Sequence, residues 1–137
     1  DGLLKMMNNG RVFKAGKVTE WLDCGNVKSS IFSNQKMLEF HHNDKKQLVS
    51  NDFKSIDSNI IEPVFIDKDV VIENSTVGPY VSLYRGATIK NSLVRNSIIG
   101  ECSNVKNANI ENSMIGNDCK YDGNYKSVNI GDFSELI

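Results

Sequence analysis

The most regular feature of the sequence is a set of apolar residues, the apolar ladder, that recur every five or six positions. Its members are Ile66, Ile72, Val77, Leu83, Ile89, Val94, Ile99, Val105, Ile110, Ile115 and Tyr121. An α-helix repeats every 3.6 residues and a strand every two, so neither produces this spacing. Each interval has room for a short strand and a tight corner, and three intervals make a coil of 16 or 17 residues. The pattern predicts a parallel β-helix with the ladder stacked in its core.

The residues between the ladder positions also repeat. Asn-Ser pairs begin at Asn74, Asn91, Asn96 and Asn112, each three residues before a ladder position. Asparagine and glycine adopt positive φ at little cost, so we expect them at the corners of the coils. Glycine follows the ladder in Val77-Gly78, Ile99-Gly100 and Ile115-Gly116, which we interpret as the starts of three equivalent sides. Only the terminal coils of such a stack need caps, and residues 122–137 are predicted to form the C-terminal one.

The first 43 residues have a different pattern, which predicts a small α/β unit. A short helix ends at Asn8-Asn9-Gly10, two strands follow over residues 11–15 and 17–22, and a turn at 23–26 leads into a helix over 27–42. Asn26 is predicted to cap that helix. One side of the helix carries Val27, Ile31, Asn34, Leu38 and His41.

Residues 44–58 are polar and aperiodic, which is typical of a linker. The sequence therefore predicts three parts: an α/β unit over 1–43, a linker over 44–58 and a β-helix over 59–137. The fold class is mainly β.

Charge and composition exclude several classes of function. Sixteen Lys and Arg against seventeen Asp and Glu give a net charge of −1 with no basic stripe, so no nucleic-acid partner is expected. No apolar run approaches the roughly 20 residues that span a bilayer, and the first residues do not resemble a signal peptide. We therefore expect a cytoplasmic protein that does not bind a membrane. The three cysteines, Cys24, Cys102 and Cys119, form no metal-binding pair and are predicted to be small buried or half-buried fillers.

Few residues have the pattern of a catalytic or binding motif. The glycines are never closer than six residues apart, so there is no Gly-rich phosphate loop and no cofactor-binding motif. His41 and His42 are adjacent at the end of the predicted helix, where they interact with its dipole and make a poor pair of metal ligands. The one compact polar motif is Trp21-Leu22-Asp23-Cys24-Gly25. An acidic residue between an apolar strand and a Gly turn lies where α/β enzymes place binding groups, although a turn residue explains it equally well.

The sequence KVTEWLDCGN at 17–26, with the helix that carries Asn34 and Leu38, resembles the end of the catalytic domain of sugar-1-phosphate nucleotidyltransferases. The similarity is to glucose-1-phosphate thymidylyltransferases and related pyrophosphorylases. Residues 61–66, 71–75 and 77–82 resemble the left-handed β-helix of hexapeptide repeats that many of these enzymes carry at the C-terminus. The resemblance covers nearly the whole chain. It implies that residues 1–43 are the C-terminal remnant of a nucleotidyltransferase domain.

The resemblance also implies an activity. Enzymes of this family join a sugar 1-phosphate to a nucleoside triphosphate and release pyrophosphate, with Mg²⁺ bridging the phosphates. Asp23 matches one of the family's two acidic metal ligands. The nucleotide loop, the second metal-binding Asp and the sugar-binding residues have no counterpart here, so this chain has no catalytic residue of its own. Because the chain also begins without Met, we expect a fragment that is inactive alone, and a β-helix that serves regulation or assembly into a homo-oligomer.

A left-handed β-helix is compatible with two other functions. Many left-handed β-helices are acyltransferases, which use a His as general base, but no His follows His42. The β-helix could instead be a passive structural module or bind an allosteric nucleotide or sugar between coils, although Tyr80, Tyr84 and Arg85 are equally well explained as exposed face residues. The base and the sugar are left open by the sequence.

Overall fold

A computed structural model describes residues 1–124 of the chain. In this part, two helices precede thirteen short strands. The helices are α1 (Gly2–Asn8) and α2 (Val27–Asn43). The strands are β1 (Lys54–Ile56), β2 (Asn59–Ile60), β3 (Val64–Ile66), β4 (Val71–Glu73), β5 (Thr76–Val77), β6 (Val81–Leu83), β7 (Thr88–Lys90), β8 (Leu93–Arg95), β9 (Ile98–Ile99), β10 (Asn104–Lys106), β11 (Asn109–Glu111), β12 (Met114–Ile115) and β13 (Lys120–Asp122).

The strands form three parallel sheets, and each successive coil adds one strand to each sheet. Sheet 1 has the order β1-β4-β7-β10-β13, sheet 2 has β2-β5-β8-β11, and sheet 3 has β3-β6-β9-β12. The result is a mainly β parallel solenoid of about four turns, as the ladder predicted. The helices of residues 1–124 lack the length and apolar character needed to cross a membrane.

The strand register confirms the apolar ladder. In sheet 1, Ile72 pairs with Ile89 and Ile89 with Val105, and in sheet 2 Val77 pairs with Val94. Ladder residues from Ile66 to Val105 are at most 1% exposed, whereas Ile110, Ile115 and Tyr121 in the last coil are partly buried. The core is therefore a narrow column of side chains that is fully buried as far as Val105 and partly exposed in the last described coil.

A second inward column was not predicted. It consists of small residues two positions before each ladder residue: Val64, Val70, Ser75, Val81, Ala87, Ser92, Ser97, Ser103 and Ala108. Its serines satisfy buried backbone groups. The Ser92 hydroxyl donates to the carbonyl of Lys90 at 2.6 Å and accepts the N–H of Ala108, in the next coil, at 3.1 Å. These serines therefore link successive coils at the corners, directly before a strand begins.

Replacing Ser92 with alanine is expected to lower the free energy of unfolding by about 1 to 3 kcal/mol, because the buried N–H of Ala108 loses its acceptor. Urea denaturation measures the loss. Ser113→Ala is the matched control, since Ser113 is only half-buried in the last described coil. Equal losses for the two variants would contradict the role given to the buried hydroxyl.

The corners confirm the prediction for asparagine and extend it to other residues. Three columns have positive φ: Asp57, Asn74, Asn91 and Asn107; Tyr80, Asn96 and Asn112; Asp69, Gly86, Cys102 and Asp118. In the first column, the Asn74 amide donates to Asn91 at 2.9 Å, and the Asn91 amide donates to Asn107 at 3.3 Å. The amide ladder holds the corners in register from coil to coil.

The predicted equivalence of the three glycine positions is wrong. Val77 lies in sheet 2, where it pairs with Val94, whereas Ile99 and Ile115 pair with each other in sheet 3. Gly100 and Gly116 therefore share a side, and Gly78 belongs to another. The three positions look alike in sequence because an interval of six residues follows each of them, and only the interval from sheet 2 to sheet 3 varies between five and six.

In the N-terminal part, the predicted helices form and the predicted strands do not. Both helices end within one residue of their expected limits, but residues 11–15 and 17–22 have no strand partner and their side chains are almost all exposed. A strand needs the backbone groups of a neighbour, and the described chain offers none to this segment. The α/β unit is represented here by its helices alone.

The solenoid begins inside the segment that was predicted as a linker. Strand β1 pairs with β4, and Val49 forms a parallel bridge with Ile66. Residues 48–60 thus cover the N-terminal edge of the coils, with Phe53 packed against the core. Val49 and Ile60 lie in register with Ile66 and Val77 and pack against the core, but the polar Ser55 opposite Ile72 interrupts the apolar pattern. At the other end, the predicted cap lies largely outside the described residues, since residues 125–137 are not among them.

Candidate functional site

Asp23 lies in an exposed turn that connects segment 11–22, which has no regular secondary structure, to α2. Its Oδ1 accepts a hydrogen bond from the N–H of Gly25 at 3.0 Å, the pattern of an Asx turn. Its backbone carbonyl accepts a hydrogen bond from the hydroxyl of Ser33 at 2.7 Å. The turn predicted from Asp23-Cys24-Gly25 is present, but no strand precedes it.

Asp23 is not surrounded by other metal ligands in this part of the chain. Within residues 1–124, no group of three or more His, Cys, Asp or Glu side chains is placed to hold a metal ion. A hard cation such as Mg²⁺ is usually held by one or two protein carboxylates together with water and substrate phosphates. The exposed Asp23 carboxylate therefore fits the role of one ligand in a shared site, and that role stays a prediction.

The first turns of α2 hold the Asp23 turn by its backbone. Asn26 caps the helix, with its side chain accepting the N–H of Ser29 at 2.9 Å and the Ser29 hydroxyl accepting the N–H of Asn26 at 3.2 Å. The Ser30 hydroxyl donates to the carbonyl of Cys24 at 3.3 Å. With the Ser33 bond, the turn is fixed to the helix at several points. The predicted cap at Asn26 is confirmed as a full capping box.

The middle of α2 is joined to sheet 3 through Asn34. The Ser82 hydroxyl donates to Asn34 Oδ1 at 2.6 Å, and Asn34 Nδ2 donates to the carbonyl of Tyr80 at 3.4 Å. Ile31 and Leu38, one turn to either side, are buried at 5% and 4% exposure. The middle of the predicted helix face is therefore buried around one polar contact, whereas Val27 at its start is 36% exposed.

An ion pair between Lys36 and Glu39 lies on the surface of α2, close in sequence to Asn34. The Lys36 ammonium is 3.1 Å from Glu39 Oε2, one turn away on the helix surface. Hydrogen bonds from Lys36 and Gln35, together with the positive charge of Lys36, hold the pKa of the Glu39 carboxyl below its ordinary value. Tyr80, which was interpreted as an exposed face residue, is half-buried here and contributes to the seat of the helix.

The two histidines occupy the last turn of α2, as predicted. His42 Nδ1 is 3.5 Å from Glu62 Oε2 at the start of the solenoid. Neither histidine belongs to a metal-binding group within the described residues. Their position supports a structural role at the junction of helix and solenoid.

The surface of the solenoid has a shallow groove lined by polar residues. One groove follows the first corner column, lined by Asp57, Ser58, Asn59, Asn74, Ser75, Thr76, Asn91 and Ser92. Asn74 and Asn91 are bonded to each other, and the buried serines Ser75 and Ser92 are bonded to the backbone. Tyr84 packs its ring 5.6 Å from that of Phe65, and Arg85 pairs with Glu101 at 3.2 Å. These are the interactions of a solvated face.

Comparison with protein-family models and with curated proteins gives no match. Fold and residue geometry, together with the resemblance in sequence, are therefore the basis of the functional argument.

Sequence reasoning missed or misplaced some of these residues. The cysteines were predicted to be fillers, but Cys24 and Cys102 are exposed and only Cys119 is half-buried. Cys102 occupies a corner with φ of 54°, which places its side chain outside the core. Ser82 was not singled out. Ser82 could have been noticed because it is a polar residue whose neighbours in the adjacent coils, Phe65 and Ile98, are apolar.

Proposed function

We propose that this chain is the C-terminal part of a sugar-1-phosphate nucleotidyltransferase, which forms a nucleotide sugar and pyrophosphate from a sugar 1-phosphate and a nucleoside triphosphate. The main support is the order of its parts. A turn that presents Asp23 is followed by a capped helix, and that helix is seated on a parallel solenoid through Asn34. The sequence of the same turn and helix carries the resemblance to this family.

The residues present fit a limited part of the chemistry. When bound, Mg²⁺ would offset the negative charge of the two phosphates and align them for in-line attack. Asp23 would supply one carboxylate oxygen to it, and the Asx turn would hold the side chain in place. The remaining ligands and the groups that read the base and the sugar would come from other parts of the natural protein.

The natural protein that contains this chain is expected to release pyrophosphate when given Mg²⁺, a sugar 1-phosphate and a nucleoside triphosphate together. Replacing Asp23 with asparagine keeps the turn but weakens a cation ligand, and should lower kcat/KM at least about tenfold, or roughly 1.4 kcal/mol. Pyrophosphate release across a panel of sugars and nucleotides is the measurement. The 137-residue chain alone should release none.

Asp118→Asn is the matched control, because Asp118 lies at an exposed solenoid corner and asparagine accepts its φ of 54°. No pyrophosphate release by the natural protein with any substrate pair would refute the proposal. An Asp23→Asn variant as active as Asp118→Asn would remove Asp23 from the metal site.

We also propose that the solenoid self-associates through sheet 3, with a second copy of the chain as the partner. The outward column of this sheet carries no charge and consists of Phe65, Ser82, Ile98 and Met114. The other two sheets carry charges on the outside, including the Lys90–Glu73 pair at 2.8 Å in sheet 1. Because α2 already covers Ser82, the uncharged surface formed by Ile98 and Met114 in the following coils continues a face that is partly covered within the chain.

Met114→Glu is expected to weaken self-association at least about tenfold, because Met114 is 46% exposed in this column and a charge there must be desolvated on contact. Sedimentation velocity over a concentration series measures it. Asn109→Glu, on the outside of sheet 2, is the control and should leave association unchanged. A monomer for the unaltered chain at high concentration would contradict self-association.

A further inference from the structure

We propose that Asn34 is a positioning residue through which the solenoid determines where the Asp23 carboxylate lies. This inference rests on the proposed function for its catalytic meaning. Its structural content, a connection from sheet 3 through α2 to the 23–26 turn, can be measured without any activity.

The first part of the connection is the pairing of Asn34 with Ser82. Ser82 is 3% exposed and stands in a column whose neighbours in register are apolar, so its hydroxyl needs an acceptor within the protein. Asn34 Oδ1 accepts that hydrogen bond at 2.6 Å. The other half of the same amide donates to Tyr80, so both ends of the Asn34 side chain are used by one strand and its preceding corner.

This geometry fixes the helix in two directions. An apolar side chain could slide along sheet 3, whereas an amide bonded at both ends accepts only one register and one rotation of α2. Ile31 and Leu38, one turn to either side of Asn34, are buried on the same side of the helix. Asn34 supplies the specificity of its placement, because a shift of one turn would leave the buried Ser82 hydroxyl without its acceptor.

The second part of the connection is the pairing of Ser33 with Asp23. Ser33 is 5% exposed and its hydroxyl donates to the backbone carbonyl of Asp23 at 2.7 Å. Ser33 and Asn34 are consecutive on the helix, so the bond to the turn and the bond to the solenoid are adjacent in the chain. A displacement at Asn34 is therefore passed directly to the peptide that carries Asp23.

The test uses the 137-residue chain and three variants: Asn34→Leu, Ser82→Ala and the double variant. Amide hydrogen exchange by NMR at Gly25, Ser29 and Ser33 reports the turn and the start of α2. Each single variant should accelerate exchange at these amides by about tenfold, the equivalent of one hydrogen bond. Amides of β7 and β10, in sheet 1, should not change. The double variant should be no worse than the single ones, because both remove the same bond.

Asn43→Leu is the matched control, since Asn43 is exposed at the end of the same helix. Asn34→Asp keeps the acceptor for Ser82 but loses the donor to the Tyr80 carbonyl, so it should restore only part of the protection. Unchanged exchange in Ser82→Ala, or single effects that add fully in the double variant, would overturn the inference.

The functional readout is made in the natural protein. Asn34→Leu and Ser82→Ala should raise the Mg²⁺ concentration for half-maximal pyrophosphate release about three- to tenfold, with Asn43→Leu unchanged. If the natural protein makes no nucleotide sugar but the exchange results hold, the proposed function fails and the connection stands. If transfer occurs and neither exchange nor Mg²⁺ dependence responds to the variants, the positioning role is wrong.

Discussion

Replacing Gly78 with alanine should destabilise the solenoid by at least about 3 kcal/mol. Gly78 is buried and has a φ of 107°, a backbone conformation that residues other than glycine rarely adopt. A Cβ at this position would overlap the carbonyl oxygen of Ile61 in the preceding coil and lie 3.0 Å from Val64 Cγ1. The overlapping atom belongs to the backbone, and the N–H of the same residue, Ile61, donates to the carbonyl of Val77. Ile61 therefore cannot move away without breaking a hydrogen bond between coils.

Thermal and urea unfolding of Gly78→Ala measure this effect. Gly116→Ala is the matched control because a Cβ at Gly116 meets only the sulfur of Cys119, at the ordinary distance of 3.8 Å. We expect the control to change stability by less than about 1 kcal/mol. A Gly78→Ala variant as stable as the control would show that the contact between Gly78 and the Ile61 carbonyl is not formed in solution.

Replacing Ile99 with alanine should lower the free energy of unfolding by about 2 to 5 kcal/mol. Ile99 is fully buried in sheet 3, between Leu83 in the preceding coil and Ile115 in the next. Both neighbours are held by parallel pairing, so the coils cannot collapse into the space that the side chain leaves. The loss therefore combines the transfer term with the cost of a cavity.

Ile115→Ala provides the comparison within the same column, since it removes the same atoms one coil further along. Ile115 is only partly buried, so the variant should lose less than half as much stability. Urea unfolding of both variants, with the slopes compared to confirm a single transition, gives the two values. Equal losses would mean that the last described coil is as closely packed as the middle ones.

The solenoid could be predicted because it repeats. Each ladder residue occupies the same environment as its counterpart in the next coil, so eleven positions report one local rule and the 16- or 17-residue coil follows from their spacing. The column of small residues two positions before the ladder was equally periodic, and could have been found by the same count. It was overlooked because serine is polar, although its hydroxyl satisfies the backbone where the core is narrowest.

The candidate site could be predicted only in part. The turn at Asp23 and the cap at Asn26 are local, and the sequence contains what forms them. The strands expected before the turn are absent because pairing depends on a neighbouring strand, which residues 1–124 do not provide. Likewise, the first strand of the solenoid was predicted as a linker, since β1 is held by backbone bonds to β4 and its side chains are exposed.

By itself the sequence determined the repeat, the identity of the stacked side chains, the limits of both helices and the turn that presents Asp23, because each depends on residues close together in the chain or on a strict period. Only the tertiary structure decided which sides share a sheet, where the solenoid begins and how α2 is seated. The bond between Asn34 and Ser82 joins residues 48 positions apart. No local pattern specifies such a pair, because its partners become neighbours only after the coils have stacked.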